Sequence, residues 1–373
     1  MEVTSEPALH RHFVGHRGTI SELVFSPHDE NKLASSSLDN TVMVWDYSNG
    51  KLPTGIKFKA HQDAVYSLSW SPKTNLIASA SKDRTVKIFE PKIVGKQNQF
   101  IAHMKPARSI CFDRTGTKLI TGSDDKSLKI WRVATKKFES SLQGHTNWIR
   151  KAKFSPTSSL VASCADDKTI KLFDTKSGEC IHTFTERKGS GRDLAWNADG
   201  GMITVGMSCN RVKIFDIRER ELIQVYHVHT EAVNSVAFHP SGYFMISGSD
   251  DGTLKIYNLL EGRPIYTITG HIGKVTAVAF SHDGKHFATG GQDHKLMIWK
   301  TNFSEIESRR ESKEFGFDES GINFLSNTQE YEDDLATPRS VDQSIIINPK
   351  NSMAYNEPDE NFKLFNSGVS FDV

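Results

Sequence analysis

Three kinds of residue set in this chain have the ingredients of chemistry. His103, Ser123 and Asp125 supply an imidazole base, a hydroxyl nucleophile and an orienting carboxylate, the parts of an acyl-transfer triad. His and Asp recur near one another, as in His145 and Asp167, and both are metal-ligand types. The stretch ERKGSGRDLAW (186–196) sets two glycines between basic residues, as a phosphate-cradling loop would. None of the three survives its surroundings. The His–Asp pairs bring no third or fourth ligand, and no glycine pair precedes a helix. The His, Ser and Asp recur in graded form along the chain, which a catalytic centre does not do.

The elements that hold these residues are repeats. An aromatic ends a short apolar stretch at Phe25, Trp70, Phe112, Phe154, Trp196, Phe238 and Phe280, at intervals of 42 residues after a first of 45. A second aromatic column runs Trp45, Phe89, Trp131, Phe173, Phe215, Tyr257, Trp299. An acidic column precedes it at Asp39, Asp83, Asp125, Asp167, Asp251 and Asp293, with a gap in the fifth repeat. Within GHTNWIRKAKFSPTSSLVASCADDKTIKLFD (144–174), alternation of period two is broken by turn residues every eight to twelve positions. Followed by ECIHTF, this predicts four antiparallel strands per repeat and an all-β chain. Seven repeats fill about four-fifths of the sequence.

Composition limits the function classes. No apolar run reaches the roughly 18 residues of a membrane span. The start, MEVTSEPALHRHF, lacks the apolar core of a secretory signal. Four cysteines without C-x-x-C spacing read as reduced thiols in an intracellular protein, with no zinc site. The formal net charge of +1 conceals two regions. Residues 301–373 carry six Lys/Arg against fifteen Asp/Glu, and residues 1–300 carry 40 against 30. No cofactor, small-molecule substrate or membrane is expected. Nucleic acid is disfavoured, because the body's excess of +10 is modest and aromatic interleaving is missing.

The dipeptides Gly15-His16, Gly144-His145 and Gly270-His271, with Trp45-Asp46, Phe173-Asp174 and Phe215-Asp216 at the far ends, resemble the WD-repeat family. That resemblance implies a seven-bladed β-propeller over 9–302, closed by the N-terminal segment LHRHFVG (9–15), and a binding platform rather than an enzyme. It also implies that a loop His, strand Ser, turn Asp and strand Trp form a buried hydrogen-bond chain inside each blade. Two repeats then carry the full set: His16, Ser37, Asp39, Trp45 and His103, Ser123, Asp125, Trp131. His61, Asp83, His145, Asp167, His229, Asp251, His271, Asp293 and Trp299 belong to partial sets.

In the same family the residue five after the His lies at the mouth of the central channel. Here that column reads Ser21, Tyr66, Arg108, Arg150, Arg192, Asn234, Thr276, with Trp148 in the loop above. Tyr66, Arg108, Trp148, Arg150, Arg187 and Arg192 therefore form a candidate partner-binding arc of basic character, of the residue types enriched in hot spots. The competing expectation is that the arginines pair with turn acids such as Asp124, Asp166 and Asp250. In the fifth repeat Arg187 replaces the His, and Met207 and Cys209 stand in the places expected of Ser and Asp. GSG then reads as a blade-connecting loop, with Arg187, Lys188 and Arg192 facing solvent in the least rigid blade.

Residues 303–373 read as an acidic, largely disordered tail whose apolar clusters (FGF, INFL, SIIIN, NFKLF, VSF) could dock on a partner, and whose charge could cover the basic arc. Wording such as NWIRKAKFSP, DDKSLKIWRV, AVNSVAFHPSG and LLEGRPIYTITGH resembles the proteome-of-centriole protein one group. This implies a cytoplasmic, cytoskeletal scaffold of centrioles, centrosomes and cilium basal bodies that supports centriole assembly, integrity and length and cilium biogenesis. Its implied partners are proteins of the centriole wall or inner scaffold, tubulin or other acidic surfaces. The tail departs from that group in lacking sustained heptads. The alternative is an adaptor or substrate receptor of another complex, a ubiquitin ligase or a chromatin assembly.

Overall fold

The computed structural model describes residues 6–48, 54–92, 95–301, 303 and 345–347. It is a seven-bladed β-propeller whose blades are antiparallel four-stranded sheets, the sixth extended by one further parallel strand. The innermost strands are Ile20–Phe25, Val65–Trp70, Ala107–Phe112, Ile149–Phe154, Gly191–Trp196, Val233–Phe238 and Val275–Phe280. The second strand of each blade is built of small and apolar residues (KLASSS, IASAS, LVASCA) because both its faces are covered by neighbouring blades and scarcely any side chain there reaches solvent.

The core is not central. Seven hydrophobic clusters lie one at each blade–blade junction, such as Phe184, Leu194, Val205 and Phe215 between blades four and five. The ring is closed by the N-terminal strand Ala8–Val14. It runs antiparallel to Lys295–Lys300 as the outer strand of blade seven, with Leu9 opposite Trp299 and Phe13 opposite Leu296. Phe13 then packs on Trp45 of blade one at 5.1 Å between ring centroids, so the closure also spans the junction.

Every blade has the same tight turn between its second and third strands. The residue after the turn Asp, or after Cys209 in blade five, is left-handed in each: Asn40, Arg84, Lys126, Lys168, Asn210, Gly252 and His294, with φ between 62° and 78°. Only one of the seven is glycine, so the turn must be held by bonds strong enough to keep L residues in a sparsely populated region.

Two features move the domain limits expected from sequence. Phe303, assigned to the tail, is buried and stacks on Phe244 of blade six at 4.3 Å. Ile345–Ile347, within SIIIN, forms a fifth strand on blade six. Both belong to the folded body. The expectation of disorder for the rest of 303–373, and the clusters FGF, INFL, NFKLF and VSF, lie outside the described residues. Among the described residues no helix is long and apolar enough to cross a membrane.

Candidate interaction site at the channel mouth

The repeated His, Asp and hydroxyl residues form structural chains buried within the blades. In blade three, His103 Nδ1 lies 2.8 Å from Asp125, and His103 Nε2 lies 2.8 Å from Thr121 Oγ1. The Trp131 indole N–H donates to that same Thr121 oxygen at 2.9 Å. A neutral His with its proton on Nδ1 satisfies every partner: it donates to Asp125 and accepts the Thr121 hydroxyl proton. Asp125 also accepts the backbone N–H of Ser127 at 3.0 Å, which fixes the left-handed turn. Burial opposes ionisation of Asp125, but hydrogen bonds from His103 and Ser127 outweigh it and hold the carboxyl well below the usual carboxylate range. Asp39, Asp83, Asp167 and Asp251 are held down in the same way by His16, His61, His145 and His229.

The linking hydroxyl is not the one expected. Ser37 and Ser123 do not touch the His; they donate to the carbonyls of Gly18 and Pro106 and accept the N–H of Asp39 and Asp125. The His partner lies two residues earlier on the same strand face: Ser35, Ser79, Thr121, Ser163, Ser247 and Thr289. The complete chains number three rather than two, because Trp299 donates to Thr289 at 3.1 Å. In blade six the Tyr257 hydroxyl, 2.8 Å from Ser247, replaces the indole. The signal available in sequence was a Ser/Thr column ten residues before the second aromatic column.

Blade five has none of this. Arg187, Val205, Cys209 and Phe215 occupy the positions of His, hydroxyl, Asp and Trp, so the Ser counterpart is Val205, while Met207 replaces the turn-capping Ser. Val205, Met207 and Phe215 are buried in the junction with blade four, and Cys209 packs against them. The turn is held instead by Ser208, whose Oγ accepts the N–H of Ser190 at 2.8 Å. This accounts for GSG. A Cβ on Gly189, which has φ of +76°, would lie 2.8 Å from Cys209 Cβ, and one on Gly191 would lie 2.6 Å from Cys164 Cβ. Gly189 lets the loop press onto the turn of blade five and Gly191 lets the strand press onto blade four; no phosphate is needed to explain them.

The mouth residues share a local cause. In all seven innermost strands the ladder skips one residue, at Ser21, Tyr66, Arg108, Arg150, Arg192, Asn234 and Thr276. Each is the extra residue of a β-bulge, a device that re-aims a side chain. All seven line one narrow cavity of about 100 Å³. Below it the channel is crossed by Lys151, which pairs with Glu22 of blade one and lies 3.8 Å from Asp193. Burial would push the Lys151 ammonium down, and these two carboxylates hold it up.

The arginines are engaged. Arg108 and Arg150 each grip a turn carboxylate through two nitrogens, Asp124 and Asp166 respectively. Arg192 donates to Asn234 at 2.5 Å and to Asp250 at 3.1 Å, so it is not released into solvent as the loss of the His suggested. Arg187 and Lys188 are exposed in the loop. The arc is therefore a row of fixed ion pairs, with little net charge of its own. Its distinctive feature is a stack: Arg108 lies between the Tyr66 ring (4.8 Å) and the Trp148 ring (5.4 Å), and Arg150 lies 5.7 Å from the Trp148 ring. Trp148 remains 41% exposed above it, next to the loop of blade three that presents Met104 at 79%. Among the described residues no three His, Cys, Asp or Glu side chains converge as a metal site would require.

The family described as Nucleolar protein 10-like, N-terminal domain, a β-propeller, matches residues 101–299, just over half of the chain. The WD domain, G-beta repeat, matches residues 8–46 and 53–90. The chain belongs to this WD-repeat β-propeller family. Similar proteins include mouse and human coronin-7, 41% identical over 78 residues, which is 21% of this chain and 8% of the coronin. Histone acetyltransferase type B subunit 2 of Aspergillus fumigatus is 33% identical over 103 residues, 26% of this chain and 23% of that protein. The U5 small nuclear ribonucleoprotein 40 kDa protein of Dictyostelium discoideum is 35% identical over 99 residues, 26% of this chain and 27% of that protein. The matched stretch thus spans less than a third of each relative.

Proposed function

We propose that this WD-repeat propeller is a non-catalytic adaptor that gathers protein partners at its channel mouth within a larger assembly. The observation that carries the reading is the Tyr66–Arg108–Trp148–Arg150 stack. It offers aromatic and guanidinium surface already locked by bulges and bidentate ion pairs, so little side-chain entropy is lost when a partner covers it. Two of the similar proteins are named as parts of complexes, a histone acetyltransferase and a small nuclear ribonucleoprotein, which favours a subunit of such an assembly, chromatin among them. Because fold alone does not choose the complex, the site must.

A second reading, a scaffold of centrioles and basal bodies in the cytoplasm that binds proteins of the centriole wall or tubulin, is supported by the stretches NWIRKAKFSP, DDKSLKIWRV and LLEGRPIYTITGH. Purification of the tagged chain with its partners, compared with Trp148→Ala and with Arg150→Glu/Arg192→Glu, tests the site. The expected result is loss of the same partners from both variants with the propeller still folded. Imaging the tagged chain against a centriole marker separates the readings; a signal away from centrioles removes the second.

A further inference from the structure

The outermost strand of a propeller blade has one row of backbone N–H and C=O groups without a sheet partner. Among the described residues, six of the seven outer strands have no neighbour beyond them. Blade six is the exception. Its outer strand, Arg263–Thr269, pairs in parallel with Ile345–Ile347, in the register Tyr266 with Ile345, Thr267 with Ile346 and Ile268 with Ile347. A parallel pair cannot be joined by a hairpin and needs a long path, here blade seven and then a connection of residues 304–344.

That connection starts on the same blade. Phe303 is buried against Phe244 in the second strand of blade six, with His239 and Phe280 around it. Departure and return are thus both on blade six. The two sequences suit the pairing. Beyond Arg263 the strand reads PIYTIT, uncharged, with Pro264 placed before the paired stretch so that no N–H is missing from it. The returning segment is three consecutive β-branched residues in a region that otherwise carries fifteen Asp/Glu. The outer strand of blade three, KFESSL, has a Lys and a Glu on its edge instead.

We propose that the outer edge of blade six is a strand-docking site for an extended, uncharged, β-branched peptide segment, and that this chain's own Ile345–Ile347 occupies it in cis as a displaceable cover. Three residues of ladder are too few to be permanent, and a tether of this length keeps the segment nearby after release. A partner reaches the edge by strand exchange, adding main-chain hydrogen bonds for affinity.

The test uses the full chain and a fluorescent peptide of its residues 341–350. Ile346→Pro removes one N–H from the cover and opposes its pairing while leaving the four antiparallel strands of every blade intact, so the thermal midpoint should stay within about 2 °C of the wild type. Ile346→Pro should bind the peptide at least tenfold more tightly than the wild type does, and amides of Tyr266–Ile268 should exchange faster in the variant without peptide. N-methylation of the peptide at Ile345, Ile346 and Ile347 in turn should abolish binding only where the amide faces the blade. Equal binding by wild type and variant, or binding that survives all three methylations, would overturn the proposal. A wild-type dimer that Ile346→Pro converts to monomer would overturn the cis assignment by placing a second copy on the edge.

Discussion

Blades three and five have the same four strands, the same bulge and the same left-handed turn, yet they hold their loops by different chemistry. In blade three a Trp, a Thr and a His form one buried line of hydrogen bonds that ends on the Asp125 carboxylate, which also accepts from the turn amide. In blade five all four are replaced, and Ser208 alone ties the loop to the turn. A buried polar chain is favourable only when every member is satisfied, so coordinated replacement is physically easier than loss of one. The fold tolerates either solution because the blade is held mainly at its junctions, where both blades bury aliphatic and aromatic side chains.

The largest test of this contrast is acid. The carboxyls of Asp39, Asp83, Asp125, Asp167 and Asp251 are depressed in the folded state relative to about 3.9 in an unfolded chain. The unfolded chain therefore takes up protons first as pH falls. The stability these groups contribute is complete above about pH 5 and disappears progressively below about pH 4. Urea midpoints measured from pH 7 to pH 3 should drop steeply over the lower part of that range; a flat profile would break the account. Next in size is Asp125→Ala, which leaves His103 and the turn amides without their acceptor and should cost about 3 kcal/mol in urea unfolding. Cys209→Ala at the same place in blade five should cost less than half as much.

Rebuilding the missing line gives a sharper comparison. Cys209→Asp alone should destabilise by about 2 kcal/mol, since it adds a carboxylate beside apolar groups. Adding Arg187→His and Val205→Ser should recover at least half of that loss, and additive costs would show that no line forms. A smaller effect concerns Thr204, whose hydroxyl is buried in blade five with no hydrogen-bond partner among the described residues. Thr204→Val should stabilise by about 1 kcal/mol, whereas Thr121→Val in blade three, which removes the link between His103 and Trp131, should destabilise. Amide exchange should also be faster in the 186–191 loop than in its counterparts, being held by Ser208 rather than by an Asp.

The repeat was legible because the same aromatic and acidic columns recur at a fixed interval; its closure into a ring came from the Gly-His and Trp-Asp dipeptides and the unpaired N-terminal segment, since open arrays use such periods too. The hydroxyl column was misplaced by two residues for a local reason. In KLASSS, Ser35 and Ser37 alternate onto the same face, and spacing does not tell which one meets the indole and which caps the turn. Charge was legible at the mouth, but its neutralisation was not. Arg192 meets Asp250, 58 positions away and in the next blade, a contact that depends on how blades stack. The same holds for Lys151 and Glu22, whose separation of 129 residues is bridged only when the channel closes. Phe303 was assigned to the tail because a lone aromatic in a polar stretch gives no sign of the Phe244 ring waiting for it.

The closing strand has a consequence for biosynthesis. Of the propeller's strands, Ala8–Val14 leaves the ribosome first and its partner Lys295–Lys300 last among those of the ring. At ordinary elongation speeds of about 5–20 residues per second, the first strand waits roughly 15–60 s with an apolar edge and no mate. The four antiparallel strands of blades one to six can form as they emerge, since their pairings are local. The seventh cannot, and the slowest step in maturation should be this final long-range closure, which makes the waiting strand Ala8–Val14 the part of the propeller most in need of shelter.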